Sequence, residues 1–158
     1  MKESDVENIV REYVAKEYPA SDGWKGTLIS KKTAEHGADI ERYNQKKGDR
    51  LIIEVKKWDD KYAAMNHNAF YALFGQLLSR IHEYPSKIYQ KRRKLIIAVP
   101  EKFVNLIRNK IHRVKNNKRE GMIGGWRLFG EITNLRIWSV DMKSRNVTEY
   151  HWKDLLKN

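Results

Sequence analysis

The stretch from Arg50 to Trp58 reads RLIIEVKKW, an apolar run interrupted by an acid and a base. Successive side chains of a β-strand point to opposite faces of its sheet. A strand here places Glu54 and Lys56 on one face, about 7 Å apart along the chain. The other face is wholly apolar: Leu51, Ile53 and Val55. Two opposite charges on one face of an apolar strand predict either a solvated surface pair or a functional site.

The size and composition of the chain limit the class of protein. Its 158 residues suffice for one domain with a buried core. Cysteine is absent, which excludes disulfides, thiolate zinc sites and a cysteine nucleophile, and is typical of a reducing compartment. No apolar stretch approaches the roughly 18 residues of a membrane span, and the N-terminus is polar. We expect a cytoplasmic protein without signal peptide or membrane anchor.

Hydrophobic periodicity predicts an α/β fold around one mixed sheet. A capping box at Ser4 to Glu7 begins the first helix, and a turn at Gly48 and Asp49 joins two strands into a hairpin. The predicted helices cover residues 5–18, 62–84 and 101–118, and the predicted strands cover 24–32, 37–43, 50–58, 95–99, 135–140 and 147–152.

Positive charge is concentrated in one region. The net charge is +12, and residues 85–120 hold twelve basic residues against two acidic ones, a difference of +10. Such a block favours a polyanion such as nucleic acid, because neutralised phosphates release counterions. A solvated, charge-rich surface is the alternative. The candidate phosphate-binding residues are Lys91, Arg92, Arg93 and Lys94, followed by Arg108, Arg113, Lys115, Lys118 and Arg119 on a basic amphipathic helix.

The Gly48 turn can fold the preceding strand back so that Asp39 lies beside Glu54. Two carboxylates repel each other unless a hard cation joins them, and Mg²⁺ (or Mn²⁺) is an oxygen-seeking ion of that kind. Such an ion can polarise a phosphoryl oxygen, while Lys56 stabilises the negative charge that develops. The pattern predicts phosphodiester hydrolysis. The alternative is an edge strand with Glu54 and Lys56 as a solvated pair.

Asp39 followed by Glu54-Val55-Lys56, with Glu7 on the preceding helix and Gln76 on the following one, resembles the PD-(D/E)XK nuclease superfamily. The resemblance implies a restriction-endonuclease-like core of helix, three strands, helix and strand over about residues 4–100, with residues 101–158 as an elaboration. Residues 72–77 and 95–101 are similar to small proteins of the XisH type, and also to Holliday-junction resolvases and Mrr-type nucleases.

Carried over position by position, the resemblance makes Asp39 and Glu54 metal ligands and Lys56 the charge-stabilising or water-orienting residue. Glu7 matches an outer acidic residue that serves a second metal or its water, and Gln76 matches a helix glutamine aimed at the site. The chain departs from the pattern where Ala38 replaces the proline and where Arg80 replaces a tyrosine.

These features predict a single-domain, metal-dependent DNA endonuclease that works in defence, recombination or mobile-element processing. A homodimer is a further expectation, since one site cuts one strand. The alternative is a non-cleaving DNA-binding accessory factor on the same fold. A third possibility is a basic RNA-binding module in which the triplet Glu54-Val55-Lys56 has no function. The salt dependence of binding to DNA and RNA would separate the third from the first two.

Overall fold

The computed structural model describes residues 2–26, 28, 38–79, 92–116, 128–130 and 133–155. Within residues 92–116, side chains are described as far as Ile111. The helices in these ranges include α1 (Glu3–Glu17), α2 (Ala63–Ser79), α3 (Glu101–Asn116) and α4 (Trp152–Leu155). The strands are β1 (Trp24–Lys25), β2 (Ile40–Asn44), β3 (Asp49–Val55), β4 (Arg93–Pro100), β5 (Arg136–Val140) and β6 (Val147–His151). A single 3₁₀ turn covers Ala20–Asp22.

The six strands form one sheet in chain order. β3, β4 and β5 are parallel, whereas β1, β2 and β3 at one side, and β5 and β6 at the other, are antiparallel. The predicted α/β class with one mixed sheet is confirmed. The predicted hairpin turn is also present: Gly48 has a φ of +68°, a conformation that side chains with a Cβ rarely adopt.

Each face of the sheet is covered by helices. α1 packs Val6, Ile9, Val10 and Val14 against the predicted apolar face of β3 and against Trp138. α2 and α3 pack on the opposite face, which includes Ile52, Leu95 and Ile97. Because β3 pairs with a strand on each side and Glu54 is 1% exposed, the edge-strand alternative for Glu54 is wrong.

Several predicted boundaries differ from the observed ones. α1 begins at Glu3 rather than Asp5, because the Lys2 N–H donates to the Asp5 carboxylate at 2.9 Å and the predicted cap residue, Ser4, lies inside the helix. β3 ends at Val55, and the last strand ends one residue before Trp152, which begins α4. The predicted helix residues 80–84 and most of residues 27–32 lie outside the described ranges, as do 117–118.

None of the helices within the described ranges is long and apolar enough to cross a membrane.

Candidate active site

Asp39 lies against the end of β3, as the hairpin predicted. It occupies a bend one residue before β2, whose first residue, Ile40, pairs with Ile53. One carboxylate oxygen of Asp39 accepts a hydrogen bond from the Val55 N–H at 2.6 Å. Val55 lies between Glu54 and Lys56, so this hydrogen bond holds Asp39 next to the middle residue of the Glu54-Val55-Lys56 segment.

Glu54 is the only acidic residue among the buried polar side chains of the described segments, with 1% of its surface exposed. Its register partner in β4 is Ile97, so it belongs to the sheet face that α2 and α3 cover. Burying a carboxylate is costly unless hydrogen bonds, an opposite charge or a metal compensates it. An acid in a central strand adds nothing to an apolar core, so its position makes Glu54 a candidate for a chemical role.

Lys56 extends the strand pairing by one residue, because its N–H donates to the Ala98 carbonyl at 3.1 Å. Its ammonium lies 3.6 Å from the carboxylate of Glu3, at the start of α1, and its side chain is 16% exposed. Sequence reasoning missed Glu3. The available signal was its spacing of four residues from Glu7, which places both acids on one side of a helix.

Arg11 lies one helical turn beyond Glu7, on the same side of α1 as Glu3 and Glu7. Its guanidinium donates to the Glu7 carboxylate and, at 2.9 Å, to the main-chain carbonyl of Asp39. Arg11 is 8% exposed and stands between Val10 and Val14 on the buried side of α1. A long-range contact thus fixes the bend that carries Asp39. Arg11 was also missed, although a base inside an apolar helix stripe is a visible signal.

The predicted set of three carboxylate ligands is not assembled. Glu7 is paired with Arg11, and within the described ranges no group of three or more histidine, aspartate or glutamate side chains is arranged to hold a metal ion. Asp39 and Glu54 remain as neighbouring oxygen donors. Such a pair fits Mg²⁺, which commonly takes one or two protein carboxylates and keeps several waters.

Gln76 is not brought to this site. Asn66, near the start of α2, exchanges hydrogen bonds with Asp59 in the loop that follows β3. Gln76 lies ten residues further along the helix, about 15 Å from that end, and its side chain is exposed. Periodicity placed Gln76 on the correct helix but did not reveal which face it occupies.

The loop between β3 and α2 is ordered by the Asp59 carboxylate. The N–H groups of Lys61 and Tyr62 donate to it at 2.9 and 3.0 Å. These two backbone hydrogen bonds lower the pKa of Asp59, because they stabilise its charged form. The loop is thereby held at the same end of the sheet as Asp39 and Glu54.

A cleft of about 480 Å³ lies at the opposite end of β3. Arg50 and Arg93 are register partners on neighbouring strands and so share one face. Arg93 is buried, with 7% of its surface exposed, and Arg50 pairs with Glu41 at 2.6 Å. Arg93, predicted as a phosphate-binding residue, helps to line this cleft, and its role stays a prediction. The other lining residues are Tyr43, Asn44, Gln45, Gly48 and Asp49.

The remaining predicted basic residues are distributed unevenly. Arg92 is exposed and donates to the Lys47 carbonyl, and Lys94 is half-buried in β4. Arg108 lies on the outer side of α3, 3.4 Å from the Asn105 side chain. Arg113 and Lys115 belong to α3, but their side chains lie outside the described part. Lys91, Lys118 and Arg119 also lie outside it.

Comparisons with known proteins leave the family open. No protein-family model matches the chain, and no curated protein matches it. Among solved structures, an XisH family protein from Nostoc punctiforme PCC 73102 is similar at 16% sequence identity and a TM-score of 0.47. The match covers 90% of this chain and 96% of that one. The functional case therefore depends on the geometry of the site.

Proposed function

We propose that this protein is a metal-dependent endodeoxyribonuclease of the PD-(D/E)XK type, with Asp39, Glu54 and Lys56 as its active site. One observation carries the proposal: the Asp39 carboxylate is hydrogen-bonded to the N–H of the residue between Glu54 and Lys56. Asp39 and the segment Glu54-Val55-Lys56 therefore lie at the same end of the sheet. Phosphodiester hydrolysis requires these groups and a hard cation.

Asp39 and Glu54 would hold Mg²⁺ or Mn²⁺, and the bound ion would polarise a phosphoryl oxygen as a Lewis acid. Lys56 would supply a positive charge at the same end of β3. Its contact with Glu3, at 3.6 Å, is longer than a direct hydrogen bond, so the ammonium is held close without a short bond to the acid. A scissile phosphate at this position would receive electrostatic stabilisation from Lys56.

DNA is the proposed substrate because of charge. A chain of net charge +12 attracts phosphates over long range, and the cleft with Arg50 and Arg93 offers cations about 13 Å or more from Glu54 along β3. Contacts of this kind position a nucleic acid without reading its sequence. Roles in defence, recombination or mobile-element processing remain predictions.

A second candidate is a DNA-binding accessory factor that does not cut. The pairing of Glu7 with Arg11 favours it, because this ion pair removes one of the three predicted metal ligands. Both candidates share the fold and the charge, and they differ only in whether Asp39 and Glu54 take part in hydrolysis.

A cleavage assay separates the two candidates. Wild-type protein, Glu54→Gln and the control Glu12→Gln would be incubated with Mn²⁺ and supercoiled, linear or four-way-junction DNA. Glu12 is an exposed residue of α1 that pairs with Arg145. The nuclease proposal expects nicking by wild type and Glu12→Gln, and a loss of at least about 100-fold in Glu54→Gln. Tight binding by all three proteins without nicking would support the accessory factor.

A further inference from the structure

Helix α2 differs in composition from the rest of the chain. One third of all residues are charged, yet the 17 residues of α2 include no Asp, Glu, Lys or Arg. Composition alone predicts roughly five or six charged residues in such a length. A surface helix normally carries its charges on the face away from the core. Their absence here is unusual for a helix that lies on the outside of a sheet.

The outward side of α2 is exposed and partly apolar. The buried stripe consists of Asn66, Phe70, Leu73, Phe74 and Leu77. On the opposite side, Tyr71 is 62% exposed and Leu78 is 54% exposed. We call this side the outer α2 face, and its residues are Ala64, Asn68, Tyr71, Ala72, Gly75, Leu78 and Ser79.

Gly75 lies at the centre of the outer α2 face. Glycine destabilises the interior of a helix relative to alanine. A Cβ added at Gly75 would meet no atom of the described chain within 4 Å, so the fold itself gives no steric reason for a glycine there. Close approach of another backbone is a common reason for a glycine on a helix surface.

We propose that the outer α2 face binds the same face of a second copy of this chain. Two copies of net charge +12 repel each other, so self-association requires a surface without charge, and α2 provides one. A two-fold contact also requires a self-complementary patch. If two antiparallel helices cross at Gly75, Tyr71 of each copy lies near Leu78 of the other, because these residues stand four and three positions from the glycine.

Lys110 of α3 marks the rim of this surface. Its ammonium donates to the Tyr71 hydroxyl at 3.2 Å and lies 5.1 Å from the centre of the Tyr71 ring. The Lys110 ammonium is therefore held against a side chain of its own chain. The dimer does not depend on the proposed nuclease function and would hold equally for a DNA-binding factor.

Sedimentation equilibrium of the full chain tests the proposal. The compared variants are Ala72→Lys, on the outer α2 face, and Ala15→Lys, at an exposed position of α1. We expect wild type and Ala15→Lys to dimerise alike. In Ala72→Lys the association should weaken by at least about 100-fold, because like charges would meet across the two-fold axis. Circular dichroism verifies that both variants fold.

A second variant, Gly75→Ala, distinguishes a loss of association from a loss of folding. It should raise helix stability in the monomer and still weaken association, since the added methyl groups separate the two backbones. Monomeric wild type throughout the measured range would overturn the proposal. Equal association of Ala72→Lys, Ala15→Lys and wild type would overturn it as well, because the dimer would then use another surface.

Discussion

Helices α1 and α2 cover opposite faces of the same sheet, but they differ in charge. α1 has seven charged residues among fifteen, and three of them, Glu3, Glu7 and Arg11, connect to the candidate active site. α2 has none among seventeen, and Gly75 on its outward side meets no atom of the described chain. The contacts of α1 lead towards the candidate active site, whereas α2 presents an uncharged face outwards.

Removing Arg11 should have the largest effect on stability. Arg11→Met leaves the Glu7 carboxylate, which is 18% exposed, without its guanidinium and frees the bend at Asp39. We expect a loss of about 4 kcal/mol in the free energy of unfolding, measured by urea denaturation. The double variant Arg11→Met/Glu7→Leu should recover much of this loss, because both partners are then apolar. If Arg11→Met alone is as stable as wild type, α1 does not support the site.

Two adjacent leucines separate the inner and outer sides of α2. Leu77 is fully buried and Leu78 is 54% exposed. Leu77→Ala should cost about 3 kcal/mol of unfolding free energy, since it leaves a cavity in the core. Leu78→Ala should change the stability of the monomer by less than about 0.5 kcal/mol, measured at low protein concentration. Equal losses in both variants would show that Leu78 already has a partner within the chain.

Gly75→Ala should raise the unfolding free energy of the monomer by about 1 kcal/mol, because alanine is the better helix former and the added methyl group meets open space. Thermal unfolding at low protein concentration measures this change. A matched substitution, Ser79→Ala near the end of the same face, should have a smaller effect. A destabilised Gly75→Ala monomer would mean that residues of the same chain pack against this position.

The last expected effect concerns the pH dependence of stability at the end of α1. Burial, followed by the charge of Glu149, raises the pKa of Tyr18 to about 12. A raised pKa of this kind stabilises the fold below the ordinary value of 10, and this contribution disappears as the pH rises from 10 towards 12. Tyr18→Phe should therefore reduce the alkaline loss of unfolding free energy, measured by urea denaturation at increasing pH.

Sequence patterns predicted those parts of the molecule that local periodicity determines. Alternation in β3 predicted the apolar face that packs on α1, and the Gly48 turn brought Asp39 to Val55. Contacts between distant elements were not predictable in this way. Arg11 reaches across 28 residues to the Asp39 carbonyl, and nothing in its local sequence specifies that partner. Gln76 was predicted to point at the active site because of its place in the motif, but its side chain lies on an exposed side of α2.

We propose that Asp39 and Glu54 together hold a divalent cation at the end of β3 that carries Lys56. Titration calorimetry with Mn²⁺ in the absence of DNA tests this claim most directly, on wild type, Glu54→Gln, Asp39→Asn and the control Glu12→Gln. We predict one binding event in wild type and in the control, and its loss in both site variants. If all four proteins bind Mn²⁺ alike, or if none binds it, the pair of carboxylates is not a metal site and the account is wrong.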